Sequence, residues 1–243
     1  MILRASRIPK KVQEHIFNCF VDDMSAVLCV KQATKRWKKK VVSRPCVNRY
    51  YRHFRERIYA ATPHAPRFDG EVEIDIGFFA GRAAKYTSAL VRKLAGLEPG
   101  RIVAKRKEIQ KEKAKSQPVL GFLRRNGDIY LLPIKSKSRL QLESAVRLVV
   151  VKGSIVYSDM EKGLAHLKLD GYTHHPINHS LEYVDKKGNH INGIESFWRG
   201  CRQAMSKNFR GIPRSTLMRH IKEREFRYNH RHDFEQALKS LLK

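Results

Sequence analysis

Apolar residues recur at helical spacing over residues 8–22, where Val12, Ile16, Phe17 and Phe20 align on one side. A second, shorter helix is expected over 27–37, ending in the basic run Lys38–Lys40. Ser43 suits an N-cap and Pro45 a first turn, so a third helix is predicted from there to Tyr59. In it Val47, Tyr50, Tyr51, Phe54 and Ile58 share one face, while Asn48, Arg49, Arg52 and Arg55 point elsewhere, toward solvent or a ligand. Arg44 opens the same helix. Three short helices with a basic last one suggest a helix-turn-helix, whose final helix enters the DNA major groove. A plain helical bundle with a solvated basic face carries the same pattern. Residues 61–67, with Pro63 and Pro66, read as a linker.

Beyond it the period changes from helix to strand. In Glu71–Phe79 the residues Val72, Ile74, Ile76 and Phe78 fall on one face and Glu71, Glu73 and Asp75 on the other. Residues 82–117 hold 11 Lys/Arg and 3 Glu and read as a basic insertion to which no regular structure is assigned. Strands at 119–123 and 128–134 flank Asn126-Gly127, a hairpin signal. A crossover helix over 138–148 leads to a strand at 154–158. Another helix is expected after Asp159, and a short strand over 172–174. Residues 193–208 and 213–228 read as two substantial helices and 234–242 as a terminal one. Strand, hairpin, crossover helix, strand and then helices make an α/β arrangement compatible with a ribonuclease H-like fold.

Composition narrows the partners. The 243 residues carry 50 Lys+Arg against 23 Asp+Glu, a net charge of +27, which points to a polyanion and most simply to nucleic acid. Hydrophobic residues make up 42%, enough for a normal core. Apolar runs such as Leu148–Val151 are too short to span a membrane. The basic N-terminus, with Arg4, Arg7, Lys10 and Lys11, lacks the apolar stretch of a secretory leader. Cys19, Cys29, Cys46 and Cys201 form no CxxC pair, so neither a disulfide framework nor a zinc ribbon is expected, and a reducing cytosol fits.

In so basic a chain, acidic residues at the ends of elements invite a metal reading. Mg²⁺ takes a few carboxylate oxygens and shares the rest of its shell with phosphates. Asp75 lies in the first strand, Asp159 ends the strand SIVYSD, and Glu195 begins the helix GIESFWRGCRQAM. In that helix Ile194, Phe197, Trp198, Cys201, Ala204 and Met205 make the buried stripe, with Glu195 at its edge. Trp198 is thereby expected in the core rather than stacked on a base. Glu71 and Glu73 share Asp75's strand face and compete with it. His174, His175, His179 and His190 make zinc conceivable, although no cysteine lies near them; lining a crevice or plain packing suits them better.

From Asp69 to Asn229 the chain resembles the transposases of bacterial insertion sequences related to eukaryotic Merlin elements, the ISXO-like group. The matching blocks are DGEVEID (69–75), IVYSD (155–159), INHS (177–180), NHINGIESFW (189–198), NFRGIP (208–213) and EREFRYN (223–229). SRPCVNRYYRHFRERI (43–58) looks like that family's helix-turn-helix segment. The resemblance implies a ribonuclease H-like domain over 67–243, preceded by a helix-turn-helix domain over 1–66. It implies a DDE-type triad falling on Asp75, Asp159 and Glu195, with Asn192 the alternative third ligand. Arg202, seven residues after Glu195 and on its helix face, falls where related enzymes place a basic residue.

The implied activity is metal-dependent cleavage and transfer of DNA strands with Mg²⁺, for which Mn²⁺ may substitute. The implied partners are double-stranded terminal inverted repeats and target DNA, bound by a homo-oligomer at the nucleoid of a bacterial or archaeal cytoplasm. DNA contacts are expected from Arg44, Asn48, Arg49, Arg52 and Arg202. Relatives commonly follow the first Asp with an acidic and a small hydroxyl residue, where this chain has Ile76 and Gly77. Ala80 replaces a usual glycine, and Met160–Gly163 is atypical. The alternative reading is a catalytically inactive, transposase-derived DNA-binding protein.

Overall fold

A computed structural model describes residues 7–62, 65–79, 116–159, 164, 171–177, 190–208 and 212–243. In chain order its elements begin with α1 (Lys10–Val21), α2 (Ala26–Trp37), α3 (Arg44–Ala60), β1 (Glu71–Phe79), β2 (Gln117–Arg124) and β3 (Ile129–Pro133). They continue with α4 (Arg139–Val149), β4 (Ile155–Asp159), β5 (Thr173–Ile177), α5 (Asn192–Asn208), α6 (Leu217–Asn229) and α7 (Phe234–Leu241). The mixed α/β chain divides into two compact units, Met1–Thr62 with Arg219–Lys243, and Pro63–Met218. A division at residue 66 assigns the last helices to the second domain, whereas in the folded chain Arg219–Lys243 pack with the N-terminal helices.

The first unit follows from its caps and its apolar stripes. Ser25 Oγ accepts the Leu28 N–H at 3.3 Å and Ser43 Oγ accepts the Cys46 N–H at 3.4 Å, fixing where α2 and α3 begin. All five apolar residues of the α3 stripe are buried. Phe20 packs edge-on to Tyr51 and Phe54, with centroids 5.0 and 5.1 Å away. Lys38 takes the left-handed conformation that ends α2.

A buried carboxylate organises the same unit. Glu223 on α6 accepts from Arg55 Nε at 2.6 Å, Arg224 Nη2 at 2.8 Å and Arg227 Nε at 2.9 Å. Arg224 also grips Asp23 with two bonds of 2.6 Å, and Arg227 donates to the Phe20 and Val21 carbonyls at the end of α1. Burial alone would raise the Glu223 carboxyl, but the three guanidinium charges outweigh it and hold the group well below the usual carboxylate range. Arg55 was expected to face solvent or a ligand; it is instead buried against Glu223. The block EREFRYN thus supplies ion pairs to the interior of the helical unit.

The second unit is built on a five-stranded sheet of order β3-β2-β1-β4-β5. β1 pairs antiparallel with β2, and β2 with β3, while β1, β4 and β5 run parallel. The hairpin closes at Asn126, which adopts φ 57°. One face of the sheet, with Val72, Ile74, Leu120, Phe122 and Val156, packs with Leu142, Val146 and Val149 of α4. The other face lies under α5. Gly121 allows that close approach, since a Cβ there would meet Trp198 Cζ2 at 2.7 Å. Trp198 is accordingly a core residue, 1% exposed. The expected helix after Asp159 and nearly all of the basic insertion 82–117 lie outside the described residues.

Candidate functional site

The alternation of β1 decides which side chains meet α5. Val72, Ile74 and Ile76 turn toward α4, so Glu73, Asp75 and Gly77 turn the other way. Asp75 stands opposite Gly121, whose missing side chain is replaced by Trp198 and Ile194 of α5. On the parallel side Ile74 pairs with Ser158. The pairing ends there, and Asp75 and Asp159 are the residues that follow the last paired positions on these two neighbouring strands. Asp159 is the last residue of β4, at the carboxyl end of a parallel strand, where open α/β sheets form ligand crevices.

Glu195 lies in the first turn of α5, and that turn is fastened to β1. Glu73, 1% exposed, accepts the Ile194 N–H at 2.8 Å. Its other oxygen receives Arg125 Nε at 3.3 Å and lies 3.5 Å from His190 Nδ1. Arg125 in turn donates to the His190 carbonyl at 2.8 Å and pairs with Glu71, while its guanidinium stacks on Tyr157 at 3.9 Å. A strand carboxylate therefore takes up a free N–H of the helix end, where negative charge is also favoured by the helix dipole. Gly193 makes room for it: a Cβ there would meet Glu73 Oε2 at 2.8 Å and Leu123 at 2.7 Å.

This arrangement gives several of the candidate residues other contacts. Glu71 and Glu73, considered as metal ligands, are engaged by Arg125, and Glu73 is an anchor for α5. Asn192, the alternative third ligand, is exposed at the start of α5, and the nearby Ile194 N–H goes to Glu73. The three described histidines are engaged in packing, as the sequence favoured over zinc: His174 Nε2 bonds Ser158 Oγ at 2.8 Å, His175 stacks on Tyr157, and His190 lies against Glu73. Burial, helped by the neighbouring His175, pushes the His174 imidazole below its ordinary value. His179 lies outside the described residues.

Asp75, Asp159 and Glu195 are each half-buried, with access to solvent. Among the described residues, only His15, Cys19 and Cys29 bring three potential ligand atoms all within 4.8 Å of one another, so the three carboxylates do not close that tightly. Mutual repulsion of anions explains such spacing, at about 4 kcal/mol for a pair 4 Å apart near a protein surface. Asp75 Oδ1 accepts the Ile76 N–H at 2.6 Å. Arg202 is exposed on α5, as are Arg44, Asn48, Arg49 and Arg52 on α3.

The two departures beside Asp75 have structural explanations. Ile76 faces the α4 side of the sheet, away from the carboxylates. Gly77 lies beneath Trp198, where a Cβ would come within 3.0 Å of the indole and of Phe79. Ala80 and Met160–Gly163 lie outside the described residues. Sequence patterning missed Arg125 and the anchoring role of Glu73; the one local signal is an acidic residue on a strand face that a helix must cover.

Residues 67–229 match the ISXO2-like transposase domain. An uncharacterized transposase-like protein of Haemophilus influenzae is 32% identical over 117 residues, covering 47% of this chain and 94% of the relative. The range 67–229 takes in the blocks from DGEVEID to EREFRYN.

Proposed function

The chain belongs to the ISXO2-like transposase domain family, and from that premise we propose that it binds the ends of an insertion sequence and cuts and joins DNA strands at Asp75, Asp159 and Glu195. The observation that carries the reading is that Asp75 and Asp159 each follow directly on the last paired residues of two adjacent parallel strands, while Glu73 of the same strand fastens the first turn of the helix bearing Glu195. A strand, a hairpin, a crossover helix and two parallel strands in this order support a ribonuclease H-like catalytic domain within Pro63–Met218, since Arg219–Lys243 belong to the helical unit.

The donor set fits a hard divalent cation, since all three groups are carboxylates open to solvent. Asp75, Asp159 and Glu195 would hold Mg²⁺, or Mn²⁺ in its place, with Asn192 the alternative to Glu195. When bound, such an ion supplies charge for the phosphate and acidity for a bound water. Arg202, two turns along from Glu195, is placed to pair with a phosphate, and its fixed charge would orient the DNA backbone beside the carboxylates.

End recognition is assigned to residues 1–66. The third of three short helices presents Arg44, Asn48, Arg49 and Arg52 outward while its other face is core, which supports a helix-turn-helix reading. Lys and Arg contacts to phosphate would give most of the affinity, so binding should weaken steeply with salt. Pairing two inverted repeats with a target implies a homo-oligomer on DNA. Among the described residues no helix is long and apolar enough to cross a membrane, and we assign the protein to the nucleoid in the cytoplasm.

The test uses a duplex carrying the inverted repeat that flanks the gene. Wild-type protein should nick it in Mg²⁺ or Mn²⁺. Asp159→Asn should lose nicking while keeping its affinity for that duplex. Nicking at the wild-type rate by Asp159→Asn would refute the assignment.

A further inference from the structure

Three soft ligand atoms converge in the helical unit, away from the carboxylates. His15 and Cys19 are one turn apart on α1, and Cys29 comes from the facing side of α2. His15 Nε2, Cys19 Sγ and Cys29 Sγ all lie within 4.8 Å of one another. All three residues are buried, at 8%, 2% and 0% exposure. We propose that His15, Cys19 and Cys29 form a binding site for a zinc-type cation that staples α1 to α2.

The spacing matches the chemistry. Zn–S bonds of about 2.3 Å and Zn–N bonds of about 2.0–2.1 Å at a tetrahedral angle put nitrogen and sulfur about 3.6 Å apart. Cys19 Sγ lies 3.5 Å from His15 Nε2. Thiolate and imidazole are the donors zinc prefers, and carboxylates are absent from the group. Two thiolates also cancel the charge of a dication, so the buried centre would be neutral. The Tyr51 hydroxyl is buried beside the Cys29 thiol.

The second shell is also in place. Gln32 Oε1 accepts from the Cys19 thiol at 3.7 Å, and once that proton is lost the amide would turn to donate its N–H to the thiolate; the imidazole of His15 packs edge-on against Trp37 at 5.4 Å. Without metal, His15 Nε2 lies 3.3 Å from the Cys29 carbonyl. Ligation needs the tautomer with its proton on Nδ1, and it releases the two thiol protons to solvent.

The experiment takes the full-length chain, reduced and stripped with a chelator, and titrates it with Co²⁺ and then Zn²⁺. The expected result is tetrahedral cobalt absorption with a thiolate charge-transfer band that saturates at a single equivalent and is displaced by Zn²⁺. Zn²⁺ should also slow alkylation of Cys19 and Cys29 by about tenfold or more, leaving Cys46 unchanged. Cys19→Ser and Cys29→Ser should lose the cobalt band, and Cys201→Ser should keep it. Should the serine variants not fold, alkylation mapping on the wild-type chain decides. No cobalt band in the wild-type chain, an undiminished band in the Cys19→Ser variant, or no Zn²⁺ protection of the two thiols would overturn the proposal. So would a Cys19–Cys29 disulfide forming in a chain that binds neither metal when reduced.

Discussion

Glu73 on β1 accepts the backbone N–H of Ile194 on α5 at 2.8 Å, across 121 residues of sequence. The bond lies two residues from Asp75 on the strand and one from Glu195 on the helix. By tying the Glu73 side chain to the α5 backbone, it holds the strand that carries Asp75 against the helix turn that carries Glu195. Glu73 is therefore a positioning residue for the proposed centre.

Removing that anchor should cost both stability and cutting. Glu73→Ala leaves the Ile194 N–H without its acceptor and Arg125 with one carboxylate fewer, for an expected loss of about 2–4 kcal/mol. Glu73→Gln keeps an oxygen for the N–H and should lose less. Urea unfolding of the two variants measures this. A Glu73→Ala chain as stable as wild type would show that the contact is incidental.

Gly193→Ala tests the same junction by crowding it. The added methyl would meet Leu123 at 2.7 Å and Glu73 at 2.8 Å, so the first turn of α5 must move. Overpacking of this kind costs about 1–3 kcal/mol. Cutting should fall by more than end binding does, as read from nicking and mobility-shift assays on one duplex.

Two arginines of α3 should separate by role. Arg49 is exposed, and Arg49→Ala should leave unfolding unchanged while reducing discrimination between ends and random DNA, by about 1–3 kcal/mol if it reads a guanine. Arg55 is buried against Glu223, and Arg55→Ala should destabilise by about 3–5 kcal/mol because a buried carboxylate loses a partner. Denaturant melts paired with binding curves distinguish the two.

His220 makes the helical unit sensitive to mild acid. Burial, and then the charge of Arg55, push its imidazole from 6.5 down to about 3. Between those values the unfolded chain binds a proton that the folded chain does not, so stability falls as pH falls. From pH 7 to pH 5 the loss should be about 2 kcal/mol. Glu223 adds nothing in that window, because its depressed carboxyl and the unfolded one are both ionised above about 4.3; below it, protonation of the unfolded chain adds a further loss. Amide exchange of α1 and α3 at the two pH values reads the effect, and His220→Gln should flatten it.

Local patterning accounts for what could be read from the sequence. The α3 stripe, the alternation of β1 over Glu71–Phe79, the hairpin at Asn126 and the core place of Trp198 all depend on neighbours within a few residues. The Arg55–Glu223 pair spans 168 residues, and no periodicity encodes which of several arginines on an amphipathic helix turns inward. The same holds for Glu73, which looks like any acidic residue of an alternating strand until α5 covers it. Cys19 and Cys29 lack a CxxC spacing, so their approach to His15 appears only when α1 and α2 pack. The last two helices read correctly as helices, yet their return to the N-terminal unit is a long-range event.

The central claim is that Glu195, carried by the anchored helix, completes the set with Asp75 and Asp159. The most direct measurement compares metal-dependent nicking of an end-bearing duplex by wild type, Glu195→Gln and Asn192→Ala, with affinity for that duplex measured in parallel. The account predicts that Glu195→Gln binds normally and does not nick in Mg²⁺ or Mn²⁺, while Asn192→Ala still cuts. A cutting Glu195→Gln beside a folded, binding but inactive Asn192→Ala would contradict it and move the third ligand to Asn192.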